Sequence, residues 1–276
     1  MIKIFLSVRN RLAITKKCLH ALEIHSEIPN QIYVYNNATN YLLEKHFQYF
    51  QKMYTNNKIA QITFTTIEST FNAFSKASTC NFFGLQHEQD PNKDSYDFLL
   101  MLDNDIIVTP GWDTRLLKAW NFVKKNKLNN IRVIGQRPGG IKQVKAELHN
   151  IDDMTGRAGK LGGSGLWSVR PSFFRDVGFL DLKQLVGHDK KHDQMYWLLM
   201  DKVNKGEPYI LGLNYKLGIH CGKQAGSVCN QLTRSKRSED KLEAIKFIGA
   251  EEAIDKVNFN KFYKSIENNK QLLGDW

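Results

Sequence analysis

Tyr96-Asp97-Phe98-Leu99-Leu100-Met101-Leu102-Asp103-Asn104-Asp105-Ile106-Ile107-Val108-Thr109-Pro110-Gly111-Trp112 holds an unbroken apolar run, Phe98 to Leu102. Such a run suits a strand buried on both faces of a parallel sheet. It breaks into two carboxylates spaced i, i+2. A second apolar run follows, then Pro110-Gly111, a turn signal. Acids at the carboxyl end of a central strand lie where open α/β sheets bind ligands. If the segment stays extended, Asp103 and Asp105 share a face and can meet one cation. Hard divalent ions take carboxylate oxygens together with substrate phosphates. The same spacing also suits a plain strand-end turn with two solvated acids.

A hydrophobic strand, Asp-x-Asp, a short apolar run and Pro-Gly-Trp together resemble the metal–nucleotide motif of GT-A fold glycosyltransferases. The likeness is nearest to the large inverting group called family 2, and it runs from residue 1 to about residue 222. It implies an α/β fold of GT-A type: a Rossmann-like, mixed central sheet flanked by helices. It also implies a nucleotide-diphosphate sugar as donor and a divalent ion, manganese or magnesium. In that scheme Asp105 holds the ion. Asp103 orients the ribose or the ion's water shell, with Asn104 beside it on the donor side.

On the N-terminal side, residues 2–8 read as a buried strand and 12–24 as a helix. Ser7-Val8-Arg9-Asn10-Arg11 between them stands where the family's first nucleotide-contacting loop does. This gives Ser7 and Arg9 a donor-binding role, though an ordinary loop with solvated arginines fits the same residues. Gln31 to Tyr35 is a second strand, ending in Asn36-Asn37-Ala38-Thr39. It resembles the family's Asp-Asn-Gly-Ser, with Asn36 at the position whose acid accepts a hydrogen bond from uracil. An amide oxygen also accepts that bond, without the charge. The resemblance implies a UDP-sugar as the favoured donor, with a GDP-sugar as the alternative, and Asn36 departs from the family's acid at this position. Tyr41 to Tyr54 reads as a helix, Gln61 to Ile67 as a third strand and Phe71 to Gln86 as a helix. Lys76, near the start of that last helix, is placed by the resemblance to contact the donor diphosphate.

On the C-terminal side, Trp112 to Asn126 has an amphipathic stripe of Leu116, Leu117, Trp120 and Val123, with Asp113 in its first turn. Ile131 to Gly135 reads as a strand. The glycine-rich stretch Gln136 to Gly163 reads as a long loop over donor and acceptor. Gly163 to Pro171 resembles the family's strand beneath the acceptor. Phe173 to Asp181 resembles the helical turn and glycine cap that follow. The family next carries its general base at the start of a helix. This chain offers two His-Asp pairs there, His188-Asp189 and His192-Asp193. Distance back from the helix-ending Gly206 favours Asp193 over Asp189. A helix N-terminus keeps such an acid ionised. Glu207 to Leu211 and Asn214 to Ile219 read as strands closing on His220. The resemblance adds His220 to the metal shell, and imidazole beside carboxylate suits manganese.

The chain has 276 residues, 42% hydrophobic and 24% charged, enough for one large α/β domain over residues 1–222. Residues 223–276 change character: a basic stretch, Thr233 to Arg237, precedes a helix-like Leu242 to Val257. They are expected to form a helical extension packing on, or closing over, the domain. No apolar run reaches the ~18 residues that span a bilayer, and no signal-peptide core is seen. Cys18, Cys80, Cys221 and Cys229 show no C-x-x-C spacing, which fits a reducing compartment. A cytoplasmic protein is expected, possible at a membrane surface.

A net charge of +11 favours anionic partners: nucleotide-sugars, an anionic membrane, or nucleic acid. The acceptor is expected to be a glycan, a lipid-linked glycan or another hydroxyl. A modified DNA base is the nucleic-acid version of that acceptor. Two competing classes fit less well. A sugar nucleotidyltransferase needs a glycine-rich loop after the first strand, which Val8-Arg9-Asn10-Arg11 lacks. A non-enzymatic nucleic-acid-binding protein accounts for the charge and leaves the strand-end acids unexplained.

Overall fold

The computed structural model describes residues 1–8, 12–36, 59–66, 76–136, 147–160, 165–179 and 199–220. In chain order these form β1 (Ile2–Val8), α1 (Leu12–His25), β2 (Asn30–Asn36), β3 (Ile59–Thr66) and α2 (Lys76–Gln89). Next come β4 (Phe98–Asp103), β5 (Ile106–Val108), α3 (Trp112–Lys125), β6 (Val133–Gln136), β7 (Leu148–Ile151) and β8 (Met154–Gly159). The series closes with β9 (Leu166–Val169), α4 (Phe173–Val177), β10 (Ile210–Leu213) and β11 (Gly218–His220). The expected helix over 41–54, the expected His-Asp helix and the extension 223–276 lie outside the described residues.

The main sheet runs β3-β2-β1-β4-β9-β6-β10-β8-β7, and β5 pairs with β11 in a small second sheet. β1, β2, β3 and β4 are parallel; β9 is antiparallel to both β4 and β6. The apolar run of β4 explains its central place. Phe98, Leu99, Leu100, Met101 and Leu102 are all 0% exposed, so both faces are covered. Even-numbered side chains of β1 and β4 (Ile2, Ile4, Leu6, Phe98, Leu100, Leu102) pack with Cys18 and Leu22 of α1 and Leu116 and Val123 of α3. On the other face, Phe5, Leu99 and Met101 pack with Phe83 of α2 and with Phe173 and Phe174 of α4. The result is helix, sheet, helix.

Two expectations need correction, and a third gains a further role. The stretch 136–163 is not wholly loop: it contains the hairpin β7–β8. Gly156, which read as a loop residue, serves close packing. A Cβ on Gly156 would lie 2.8 Å from Leu211 Cδ1, so a bare backbone is needed there inside a strand. The last strands sit later than expected, at 210–213 and 218–220. Asp113 does more than favour a helix dipole. It is 0% exposed, and its Oδ2 accepts the Glu27 and Ile28 amides at 2.7 and 2.8 Å. Burial pushes this carboxyl up, against the pull of those backbone bonds.

β1 also carries a buried cation. Lys3 Nζ lies 2.8 Å from Asp90 Oδ2, over the rings of Tyr33 and Tyr96. The Tyr96 hydroxyl reaches the same Asp90 oxygen at 2.9 Å. Desolvation raises the Asp90 carboxyl, but the Lys3, Asn92 and Tyr96 hydrogen bonds outweigh it and hold it below its usual range. This cluster ties the approach to β4 onto β1. No helix among the described residues is long and apolar enough to cross a membrane.

Candidate active site

The chain runs from β1 outward through β2 to β3, then returns to place β4 on the other side of β1. Strand order therefore reverses between β1 and β4. In such a sheet the crevice outside the carboxyl ends at this point is the natural ligand site. The register puts named residues there: Ser7 is the Cα partner of Asp103 on one side and of Tyr35 on the other. Asn36 ends β2 as the partner of Val8.

Asp103 is the last residue of β4, and 104–105 form a turn into β5. The extended segment expected to align Asp103 and Asp105 is thus a turn. Its two acids differ in exposure: Asp103 is half-buried and Asp105 is 7% exposed. The turn is anchored from several elements. The Asp103 amide donates to the Gly165 carbonyl at 2.9 Å. Asn104 Nδ2 donates to Thr15 Oγ1 of α1 at 2.9 Å, a buried bond. Asn104, expected on the donor side, thus spends an amide hydrogen on the scaffold.

β5 is held by β11: His220 pairs with Ile106, Ile219 with Ile107 and Gly218 with Val108. Thr109 extends the contact, its amide and hydroxyl donating to Leu217 and Lys216 carbonyls at 3.0 and 2.6 Å. The Gly218 amide donates to the Gln136 side chain at the end of β6 at 3.0 Å. The backbone of His220 is thereby brought beside the residue that follows Asp105.

Of the expected site residues, Ser7 and Asn36 lie at the carboxyl ends of β1 and β2, Asp103 ends β4, Asn104 and Asp105 form the turn after it, the backbone of His220 pairs with Ile106, and Lys76 opens α2. Arg9, Asp189 and Asp193 lie outside the described residues. Thr15, Gln136 and Gly165 support the turn and were not singled out for that role from sequence. Nothing local marks them, because each acts on a residue far away in the chain.

Among the described residues, no three His, Cys, Asp or Glu side chains cluster as a metal site. The donor types at the edge nonetheless suit manganese or magnesium. One carboxylate ends β4, a second lies in the turn after it, and a histidine stands on β11, which pairs with β5 just beyond that turn.

No family model matches this chain, and no curated protein matches it. Solved structures do. Staphylococcus aureus TarS 1–349 is similar with a TM-score of 0.50 at 13% identity, over 88% of this chain and 71% of that one. The same fragment in complex with UDP gives 0.49 at 13% identity, over 99% and 75%. The glycosyltransferase GlyE of Streptococcus pneumoniae TIGR4 gives 0.45 at 13% identity, over 75% and 44%. Identity this low speaks to architecture. The chain has the GT-A fold, with its Asp-Asn-Asp turn at the carboxyl edge of the central strand.

Proposed function

We propose that this chain is a metal-dependent glycosyltransferase that moves a sugar from a nucleotide-diphosphate sugar to an acceptor hydroxyl, with inversion. The observation that carries the reading is the pairing of Ser7 with Asp103 across the order reversal, with Asp105 in the anchored turn beyond it. Asp105, Asp103 and His220 are the residues that would hold the ion. When bound, a divalent ion neutralises charge on the donor diphosphate and its leaving nucleotide. Ser7, Arg9 and Lys76 bind the nucleotide and diphosphate. The Asn36 amide oxygen accepts the uracil N–H, so a UDP-sugar is the donor to try first.

Asp193 takes the proton from the acceptor hydroxyl as that oxygen attacks the anomeric carbon. The bond from that carbon to the diphosphate oxygen breaks on the opposite side. One displacement gives inversion. The acceptor is a hydroxyl of a glycan or a lipid-linked glycan.

The test is calorimetric titration with UDP-, GDP- and CMP-sugars in manganese. Binding of one nucleotide, UDP first, supports the reading. Failure of every nucleotide-sugar to bind overturns it.

A further inference from the structure

Ile106 directly follows Asp105, opens β5 and is 5% exposed. Its side chain lies between two glycines from distant parts of the chain. A Cβ on Gly165 would stand 2.7 Å from Ile106 Cδ1 and 3.2 Å from Cγ1. A Cβ on Gly218 would stand 2.6 Å from Ile106 Cγ2, 3.2 Å from Leu166 Cδ1 and 3.3 Å from the Ile107 carbonyl oxygen. Neither glycine has a left-handed backbone, so what each supplies is room. The same two residues hold the turn through their backbones. Gly165 accepts the Asp103 amide, and Gly218 pairs with Val108. A Cβ on Gly165 would also come within 3.7 Å of Asp103 Oδ2.

We infer that Gly165 and Gly218 form a slot for Ile106, and that this wedge sets where the Asp103–Asp105 turn presents its carboxylates. All three are positioning residues for the donor site, a role that rests on the function proposed above. The two glycines meet different atoms, and this makes the inference separable. Cγ2 is fixed by χ1, which is stiff in a β-branched residue. Cδ1 swings on χ2. A methyl group on Gly218 therefore pushes on the β5 backbone, whereas one on Gly165 pushes first on a terminal methyl group.

The experiment uses the full chain and the variants Gly165→Ala, Gly218→Ala and Ile106→Val, with both glycine–isoleucine double variants. UDP affinity in manganese is measured by calorimetry and folding by thermal melting. Isoleucine δ1-methyl NMR of the ligand-free protein reads the wedge itself. Ile106→Val assigns the Ile106 signal by removing it. Gly165→Ala should shift that signal and weaken UDP binding about fivefold, and Gly218→Ala should weaken it about tenfold.

Valine lacks Cδ1 and keeps Cγ2. Gly165→Ala with Ile106→Val should therefore bind like Ile106→Val alone, while Gly218→Ala with Ile106→Val stays about tenfold below it. Rescue of both glycine variants, or of neither, overturns the inference. So does a Gly165→Ala protein with wild-type methyl shift and affinity. If Gly218→Ala does not fold, the Gly165 cycle decides alone. If the wild type binds no nucleotide, the proposed function falls and the methyl shift still scores the slot. A shift in Gly165→Ala supports it, and an unmoved signal overturns it.

Discussion

Removing the Asp113 carboxylate tests whether the helix after the Asp turn is fixed by a long-range polar contact. Asp113 Oδ2 accepts the amides of Glu27 and Ile28 at 2.7 and 2.8 Å, and Oδ1 accepts that of Thr114 at 2.9 Å. The group is fully buried. Each hydrogen bond to a charged group contributes about 1.5–3 kcal/mol, and orphaned amides add a desolvation cost. Against this stands the burial cost of the carboxylate itself, which raises its pKa. The balance for Asp113→Ala is a loss of about 3–4 kcal/mol. Asp113→Asn behaves differently. Its amide oxygen can keep both loop bonds while its NH₂ faces the Thr114 amide, so the loss is about 1–2 kcal/mol.

At this chain length each kcal/mol moves Tm by about 2–4 °C, so the alanine variant should melt roughly 6–16 °C lower. Urea unfolding should show a lower midpoint at unchanged slope. Alanine and asparagine variants both within about 0.5 kcal/mol of wild type would refute the reasoning. So would an asparagine variant less stable than the alanine.

Three further outcomes are expected, two from the structure and the third from the proposed function. His87 is fully buried; its Nε2–H donates to the Pro171 carbonyl at 2.9 Å, and Nδ1 has no hydrogen-bond partner among the described residues. Burial lowers its pKa below 6.5, so the unfolded chain binds more protons as pH falls through that value. Its contribution is whole above pH 6.5 and is lost below it; His87→Gln should lose less stability than wild type between pH 7.5 and 5.5 in urea titrations. Gly84→Ala should destabilise by about 1–3 kcal/mol despite a better helix former, because its Cβ would lie 2.6 Å from the Phe174 ring; a higher urea midpoint would contradict this. Asp193→Asn should lower turnover by about 10²–10⁴-fold with donor affinity unchanged, and Asp189→Asn should not; the reverse result would exchange their roles.

Much of the architecture was legible because it is written in local pattern. The apolar run Phe98 to Leu102 marked the central strand, and the stripe of Leu116, Trp120 and Val123 marked α3. The strand-end acids singled out a candidate site for the same reason: charge at the end of a buried strand must meet water or a ligand. What stayed hidden depends on partners far apart in sequence. Asp113 looked like an N-terminal helix acid, and only the fold brings Glu27 and Ile28 to it. Gly156 looked like a loop residue because its packing partner, Leu211, lies on another strand. The Asp103–Asp105 spacing suggested an extended pair. The turn between β4 and β5 depends on Gly165, Thr15 and β11, which no local window contains.

The most direct measurement is UDP binding by calorimetry, with manganese and with EDTA, in wild type and Asp105→Asn. Wild type with manganese should bind UDP. Chelation or the substitution should weaken it by at least about tenfold, a loss of 1.4 kcal/mol or more, with the fold unchanged by thermal melting. UDP affinity unaltered in EDTA and in Asp105→Asn would contradict the assignment of the Asp turn as the metal–donor site.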